Sequence, residues 1–308
     1  MIALDSAFLR GSYAPVITPF LEDGAVDYRS YERLVDFQIR KGSHGIVVNG
    51  TTAEPSALSL EERRSLLEVA VRVAAGRVPV VAATGSQSHA ETAALTEHAS
   101  KTRAAALLIV TPYYIRPSQR GLISYYTDLA GRTDLPILMY HIPGRACVTV
   151  TVETLEAIAA AVPHFVGMKH AASELTLVSE AIIRLGPEFR VFVGLEELSL
   201  PMLTLGACGM VNAVSNIAPG AVARLYEAVA AENMAEARRM HYELFELNRA
   251  VFFDTNPVPI KYMARRLGLI PANHHRLPML PASREIEQRL DAVLASANFL
   301  TPAAAERS

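Results

Sequence analysis

Short apolar runs alternate with longer amphipathic ones along most of this chain. The short runs are "YAPVITPF" (13–20), "HGIVVNG" (44–50), "VPVVAATG" (78–85), "AALLIVTP" (105–112), "PILMYHIP" (136–143), "FVGMKHA" (165–171), "RVFVGLE" (190–196) and "GMVNAVS" (209–215). They are rich in Val and Ile and bounded by Gly or Pro, which predicts strands buried on both faces, as in a parallel sheet. Between them the period changes from strand to helix. Over 27–42, Tyr31, Leu34, Val35 and Ile39 share one face, and Gly42 stops the helix. Over 59–76, Ser59 and Glu62 have capping-box spacing, and Gly76 ends the unit. Similar helical patterns cover 88–101, 118–131, 151–161, 174–185 and 197–206, and the eighth, 219–231, opens on Pro219.

Eight strands, each followed by a helix, predict an α/β fold of the (β/α)8 barrel type. The rival is a doubly wound open sheet. It would more often carry a phosphate-binding glycine loop after the first strand, and "VITPFLEDG" has none. Beyond residue 231 the strand pattern stops. The stretches "AEARRMHYELFELNRAVF", "PVPIKYMARRLG" and "SREIEQRLDAVLASA" predict three further helices. The expected organisation is a catalytic barrel over 1–231 and a C-terminal helical extension over 232–308, with the last eight residues frayed.

Composition narrows the field of functions. The chain has 308 residues, 51% hydrophobic and 19% charged, enough to bury a sizeable core. A formal charge of −2 gives no electrostatic reason to expect nucleic acid or a membrane surface as partner. No apolar run reaches the roughly 18 residues a membrane span requires. The N-terminus lacks the basic and apolar regions of a secretory signal. Two cysteines, Cys147 and Cys208, are too few for a disulfide scaffold, so a cytoplasmic location is expected.

Barrels of this type place their chemistry at the C-terminal ends of the strands. The polar residues there are Asn49, Thr51, Thr52, Thr111, Tyr113, Tyr114, Tyr140, His141, Arg145, Lys169, His170, Glu196 and Asn212. Only four lysines occur in the chain: Lys41, Lys101, Lys169 and Lys261. Lys41 and Lys101 close helices, where a cation suits the dipole, and Lys261 is on a C-terminal helix. Lys169 ends strand six. At a barrel mouth, low-dielectric walls disfavour a charged amine, and a neutral amine is the nucleophile for a Schiff base. The plainer reading is a strand-end lysine in an ion pair. Tyr140 ends the neighbouring strand, and adjacent strands lie about 4.8 Å apart, so its hydroxyl is a candidate proton shuttle. The turn Gly50-Thr51-Thr52 offers N–H groups and hydroxyls to a carboxylate. Arg145 offers a bidentate grip to a second one, or is simply a solvated loop arginine. His141 and His170 end neighbouring strands, but no HxH or cysteine pattern accompanies them, and no metal is expected.

Taken together, "GTTAE" (50–54), "VTPYYIRPSQ" (110–119), "YHIPGR" (140–145), "GMK" (167–169) and "NPVPIK" (256–261) resemble the dihydrodipicolinate synthase / N-acetylneuraminate lyase family of pyruvate-dependent aldolases over roughly residues 10–298. The resemblance implies a lyase or synthase that forms a Schiff base with pyruvate or another 2-oxo acid and needs no metal or organic cofactor. It implies Lys169 as the Schiff-base residue and Tyr140 as proton relay. Thr51 and Thr52 would bind the pyruvate carboxylate, with Thr52 also in the relay. Tyr114 would enter a neighbouring subunit's relay, Arg145 would hold the second substrate, and Val211 would join the substrate-binding set. It further implies a homotetramer built as a dimer of dimers. Three motifs, "TPYYIRPSQ", "IPGR" and "NPVPIK", are most similar to those of members that condense pyruvate with an aldehyde such as aspartate semialdehyde. The alternative is a related aldolase or dehydratase acting on a sugar-acid or aromatic 2-oxo acid.

The chain departs from the family pattern at Ala53, at His141, at His170 in place of an acid, and in "GLEE" (194–197). These departures are expected near the second substrate. The segment "EPSALSLEER" lacks the histidines of feedback-inhibited members, so lysine inhibition is not expected.

Overall fold

A computed structural model describes residues 1–297 and 300 of the protein. Eight strands form it: β1 Gly11–Pro15, β2 Gly45–Val48, β3 Val80–Ala83, β4 Ala106–Val110, β5 Ile137–His141, β6 Phe165–His170, β7 Arg190–Val193 and β8 Gly209–Met210. They pair in parallel in chain order, and β8 closes on β1. The helices between them are α1 Tyr28–Arg40, α2 Leu60–Ala74, α3 His89–Ala99, α4 Gln119–Ala130, α5 Pro143–Ala146, α6 Val152–Ala161, α7 Thr176–Leu185, α8 Ser199–Thr204 and α9 Pro219–Ala230. Then come α10 Met234–Ala250, α11 Val258–Arg266 and α12 Arg284–Ser296. The (β/α)8 reading and the three-helix extension are what the protein has. The frayed segment expected over 301–308 lies outside the described residues. No described helix is long and apolar enough to cross a membrane.

Two apolar layers follow from the two faces of each strand. Ile46, Val48, Val80, Ala82, Leu107, Ile109, Ile137, Met139, Val191 and Val193 pack outward under the helices. The intervening residues Val47, Val81, Ala83, Ala106, Leu108, Leu138, Tyr140 and Phe192 fill the barrel interior. The helices start where the sequence says they should. The Ser59 hydroxyl accepts from Glu62 N–H at 3.1 Å, and the Glu62 carboxylate accepts from Ser59 N–H at 2.9 Å.

The first and last strands are shorter than their apolar runs. Val16 N–H still donates to Val47 C=O at 3.2 Å, and beyond it side chains take over the pairing. Asn216 accepts from Ile17 N–H at 3.0 Å and donates to Pro15 C=O at 2.9 Å. Gly209 sits so close to β1 that a Cβ there would lie 2.3 Å from Gly11 O. Past Met210 the apolar residues belong instead to the turn Ala213–Asn216.

Candidate active site

Strand β6 carries an irregularity that decides where Lys169 points. Ile137 pairs with Phe165, but the next residue, Leu138, pairs with Gly167, so β6 holds one extra residue. Phe165 and Met168 both face the helices. Strict alternation from Phe165 would have sent Lys169 outward too; the bulge reverses the parity and turns it into the barrel. Gly167 makes this fit, because a Cβ there would lie 2.1 Å from Arg190 O of β7. Gly194 does similar work above it, since a Cβ there would meet Lys169 Cε at 2.9 Å.

Lys169 is buried, opposite Tyr140 in register, with Nζ 4.2 Å from the centre of the Tyr140 ring. The Tyr140 hydroxyl accepts from Thr51 Oγ1 at 3.3 Å. The hydroxyl that reaches Tyr140 is thus that of Thr51. Thr52, expected to act in both roles, is buried, and its oxygen accepts from Asn256 Nδ2 at 3.0 Å.

The turn carrying these threonines is held from several sides. Asn49 (φ 60°) and Glu54 (φ 58°) flank it in left-handed backbone. Asn49 Nδ2 donates to Arg63 C=O, and the Thr18 hydroxyl donates to Ala53 C=O. The Glu54 carboxylate is buried against Lys261 Nζ at 2.7 Å and His275 Nδ1 at 3.4 Å.

Thr51, Tyr140, Arg145 and Asn256 line one cavity of about 640 Å³. Arg145 sits in the one-turn helix α5, and its Nη2 donates to the Asn256 backbone oxygen at 3.1 Å. Sequence reasoning placed "NPVPIK" in the family pattern but gave Asn256 no role. Its contacts to both Thr52 and Arg145 come from the C-terminal extension, which no strand-end count includes. Val211 is buried just past β8, in the same interior cluster as Tyr140 and Phe192. Tyr114 is 85% exposed, in left-handed backbone (φ 75°), and does not line the cavity.

Ala53, His141, His170 and residues 194–197 do not line this cavity, and neither do Lys169 and Thr52. His141 and His170 follow Tyr140 and Lys169 by one residue, and the alternation of a strand sends them to the opposite, helix-facing side. Ala53 is buried behind the turn.

Glu196, part of the "GLEE" departure, is buried, with Oε1 accepting from Ala213 N–H and Oε2 without a hydrogen-bond partner. Burial pushes its carboxyl up to about 7, against the Ala213 N–H and the field of Lys169. A carboxyl raised in the folded state favours folding at acid pH and opposes it increasingly as pH rises from its ordinary 4.5 toward 7. Glu196→Gln is therefore expected to be more stable than the natural protein at pH 8, by on the order of 2–3 kcal/mol, and to lose that advantage near pH 4.5. Urea unfolding at the two pH values measures this; an equal difference at both would contradict the buried-carboxyl account.

Comparison with known proteins identifies the family. Residues 8–297 match the dihydrodipicolinate synthetase family. The 4-hydroxy-tetrahydrodipicolinate synthase of Thermus thermophilus is 41% identical over 282 residues, covering 91% of this chain and 94% of the relative. The crystal structure of dihydrodipicolinate synthase from Aquifex aeolicus superposes with a TM-score of 0.92 at 38% identity, covering 95% of this chain and 99% of that one. The Acinetobacter baumannii dihydrodipicolinate synthase, solved with pyruvate, has a TM-score of 0.91 at 34% identity, covering 95% and 100%.

Proposed function

The chain belongs to the dihydrodipicolinate synthetase family, and from that premise we propose that it condenses pyruvate with an aldehyde, aspartate semialdehyde, through a Schiff base on Lys169. The observation that carries this reading is the stack of Lys169 under Tyr140, with Thr51 on the Tyr140 hydroxyl at the wall of the cavity.

In this reading the neutral Lys169 Nζ attacks the ketone carbon of pyruvate. The resulting carbinolamine loses its oxygen as water, leaving an iminium. The iminium withdraws electrons, so the adjacent methyl loses a proton and an enamine forms. The enamine carbon attacks the aldehyde carbon, a carbon–carbon bond forms, and the new alkoxide takes up a proton. Water then adds to the re-formed iminium, breaking the carbon–nitrogen bond to release the keto product and free Lys169 Nζ. Tyr140 would move protons at the amine and the carbinolamine, with Thr51 as the next hydroxyl in line. Thr51, Thr52 and the turn N–H groups would hold the pyruvate carboxylate, with Val211 packing behind the site. Arg145, fixed by the Asn256 carbonyl, would hold the carboxylate of the second substrate. Tyr114, exposed and apart from its own cavity, would serve a neighbouring copy in a homotetramer.

The test is a substrate panel. With pyruvate present, the protein is incubated with aspartate semialdehyde, sugar-acid precursors or aromatic aldehydes, and pyruvate loss is followed. Turnover with aspartate semialdehyde at least tenfold above the others is expected. Preference for another class would overturn the choice of aldehyde, and absence of pyruvate consumption with all of them would overturn the reading.

A further inference from the structure

His141 and His170 form a chain of hydrogen bonds whose direction is determined by its two ends. Val150 N–H donates to His141 Nε2 at 3.3 Å, so that nitrogen carries no proton. A neutral His141 therefore holds its proton on Nδ1, which faces His170 Nδ1 at 3.1 Å. His170 Nε2 lies 2.6 Å from the Glu174 carbonyl oxygen, which can only accept. The His170 proton is thus on Nε2, and its Nδ1 accepts from His141. All three contacts are satisfied only when both rings are neutral. A further proton on His141 would face the Val150 N–H, and one on His170 would face the His141 N–H.

The pair's location gives this chain a consequence for the site. Each ring follows a residue of the reactive pair, on strands matched residue for residue: Tyr140 with Lys169, and His141 with His170. The backbone is tied at the same level, where Ala171 N–H donates to His141 C=O at 2.8 Å. Val150 belongs to the segment returning from Arg145, and Glu174 leads into α7.

We propose that His141 and His170 are positioning residues, a neutral pair that holds the ends of β5 and β6 so that Lys169 stays packed under Tyr140, and that protonation of either ring loosens this hold. This rests on the Schiff-base reading above. The rings are nearly inaccessible, at 2% and 0% exposure. Burial, reinforced for His141 by its neighbour, pushes His141 down to about 4 and lowers His170 as well. The acidic groups of the adjoining cleft are Glu174 before α7, Glu180 on α7 and Glu153 on α6. Glu174 opposes the lowering of both rings, and its carboxylate also accepts from Thr176 and Leu177 N–H. The sign follows from the depressed histidines: the neutral pair is unopposed above pH about 6.5, and its hold is lost as pH falls through the lowered values.

The experiment follows trapping of the pyruvate Schiff base by cyanoborohydride, read as intact mass against time from pH 4.5 to 8. In the double variant His141→Asn/His170→Asn, carboxamide groups stand near the two Nδ1 positions and do not titrate. Its trapping rate relative to the natural protein is expected to rise as pH falls from 7 to 4.5, by at least about 1.3-fold, the share set by His141 titrating at about 4. His170→Leu, which strands the His141 N–H, is expected to trap at least tenfold more slowly at pH 8, with half-saturation by pyruvate within twofold. A ratio that stays flat with pH, or a leucine variant as fast as the natural protein, overturns the proposal. Should His170→Leu fail to fold, the pH course of the asparagine pair decides. A natural protein that traps no pyruvate would overturn the Schiff-base reading itself, an outcome visible before any variant is compared.

Discussion

Lys169→Ala is expected to abolish the pyruvate adduct and to lower turnover by on the order of 10⁴-fold or more. The substitution removes the amine proposed to form the imine, so no enamine should arise. Lys169→Arg is expected to be equally inactive, because a guanidinium stays protonated and cannot attack a carbonyl. Size and charge at the position are therefore not what matters; a neutral nitrogen nucleophile is. Tyr140→Phe should behave differently. It keeps the ring over Nζ but removes the hydroxyl that Thr51 meets. The adduct should still form, more slowly by a factor of about 10²–10⁴, the usual contribution of a placed proton-transfer group. Reductive trapping followed by peptide mass analysis distinguishes these outcomes. An adduct that persists in Lys169→Ala would move the chemistry to another residue.

The barrel was legible in the sequence because each strand announces itself twice, by its apolar run and by the glycine or proline that bounds it. The helices were legible from caps such as Ser59 with Glu62, and from stops such as Gly42 and Gly76. The strand-end residues Lys169, Tyr140 and Thr51 were legible because barrel topology says where polar groups can face a ligand. Orientation was harder. The direction of Lys169 depends on the extra residue in β6, which shifts parity without changing composition. An isolated glycine in a strand pattern signals such a bulge, and Gly167 is that glycine. His170, one residue on, faces the helices, as the alternation after Lys169 requires. Asn256 was missed as a site residue because it reaches Thr52 across more than two hundred positions of chain, a contact that no local period encodes.

Lys261→Met is expected to lower the unfolding free energy by about 3–5 kcal/mol, the usual cost of leaving a buried charge unpaired. Lys261 Nζ is fully enclosed, 2.7 Å from Glu54 Oε1, 2.6 Å from the His274 carbonyl oxygen and 4.4 Å from the centre of the Phe20 ring. Removing the amine leaves Glu54 with only its longer contact to His275. Glu54 ends the turn that carries Thr51 and Thr52, so the loss should also disturb the site, seen as a higher half-saturating pyruvate concentration. Burial alone would raise the Glu54 carboxyl, but His275 and Lys261 outweigh it and hold it below its ordinary 4.5. An acid lowered in this way contributes stability above pH 4.5 that is lost as pH falls through the folded value. Lys261→Met should therefore unfold in acid at a higher pH than the natural protein. The double variant Glu54→Gln/Lys261→Met removes both charges, and at least half of the lost stability should return. Urea unfolding of the two single variants and the double one measures the coupling. Single losses under about 1 kcal/mol, the scale of a solvated surface pair, would mean that this contact does not anchor the extension to the threonine turn.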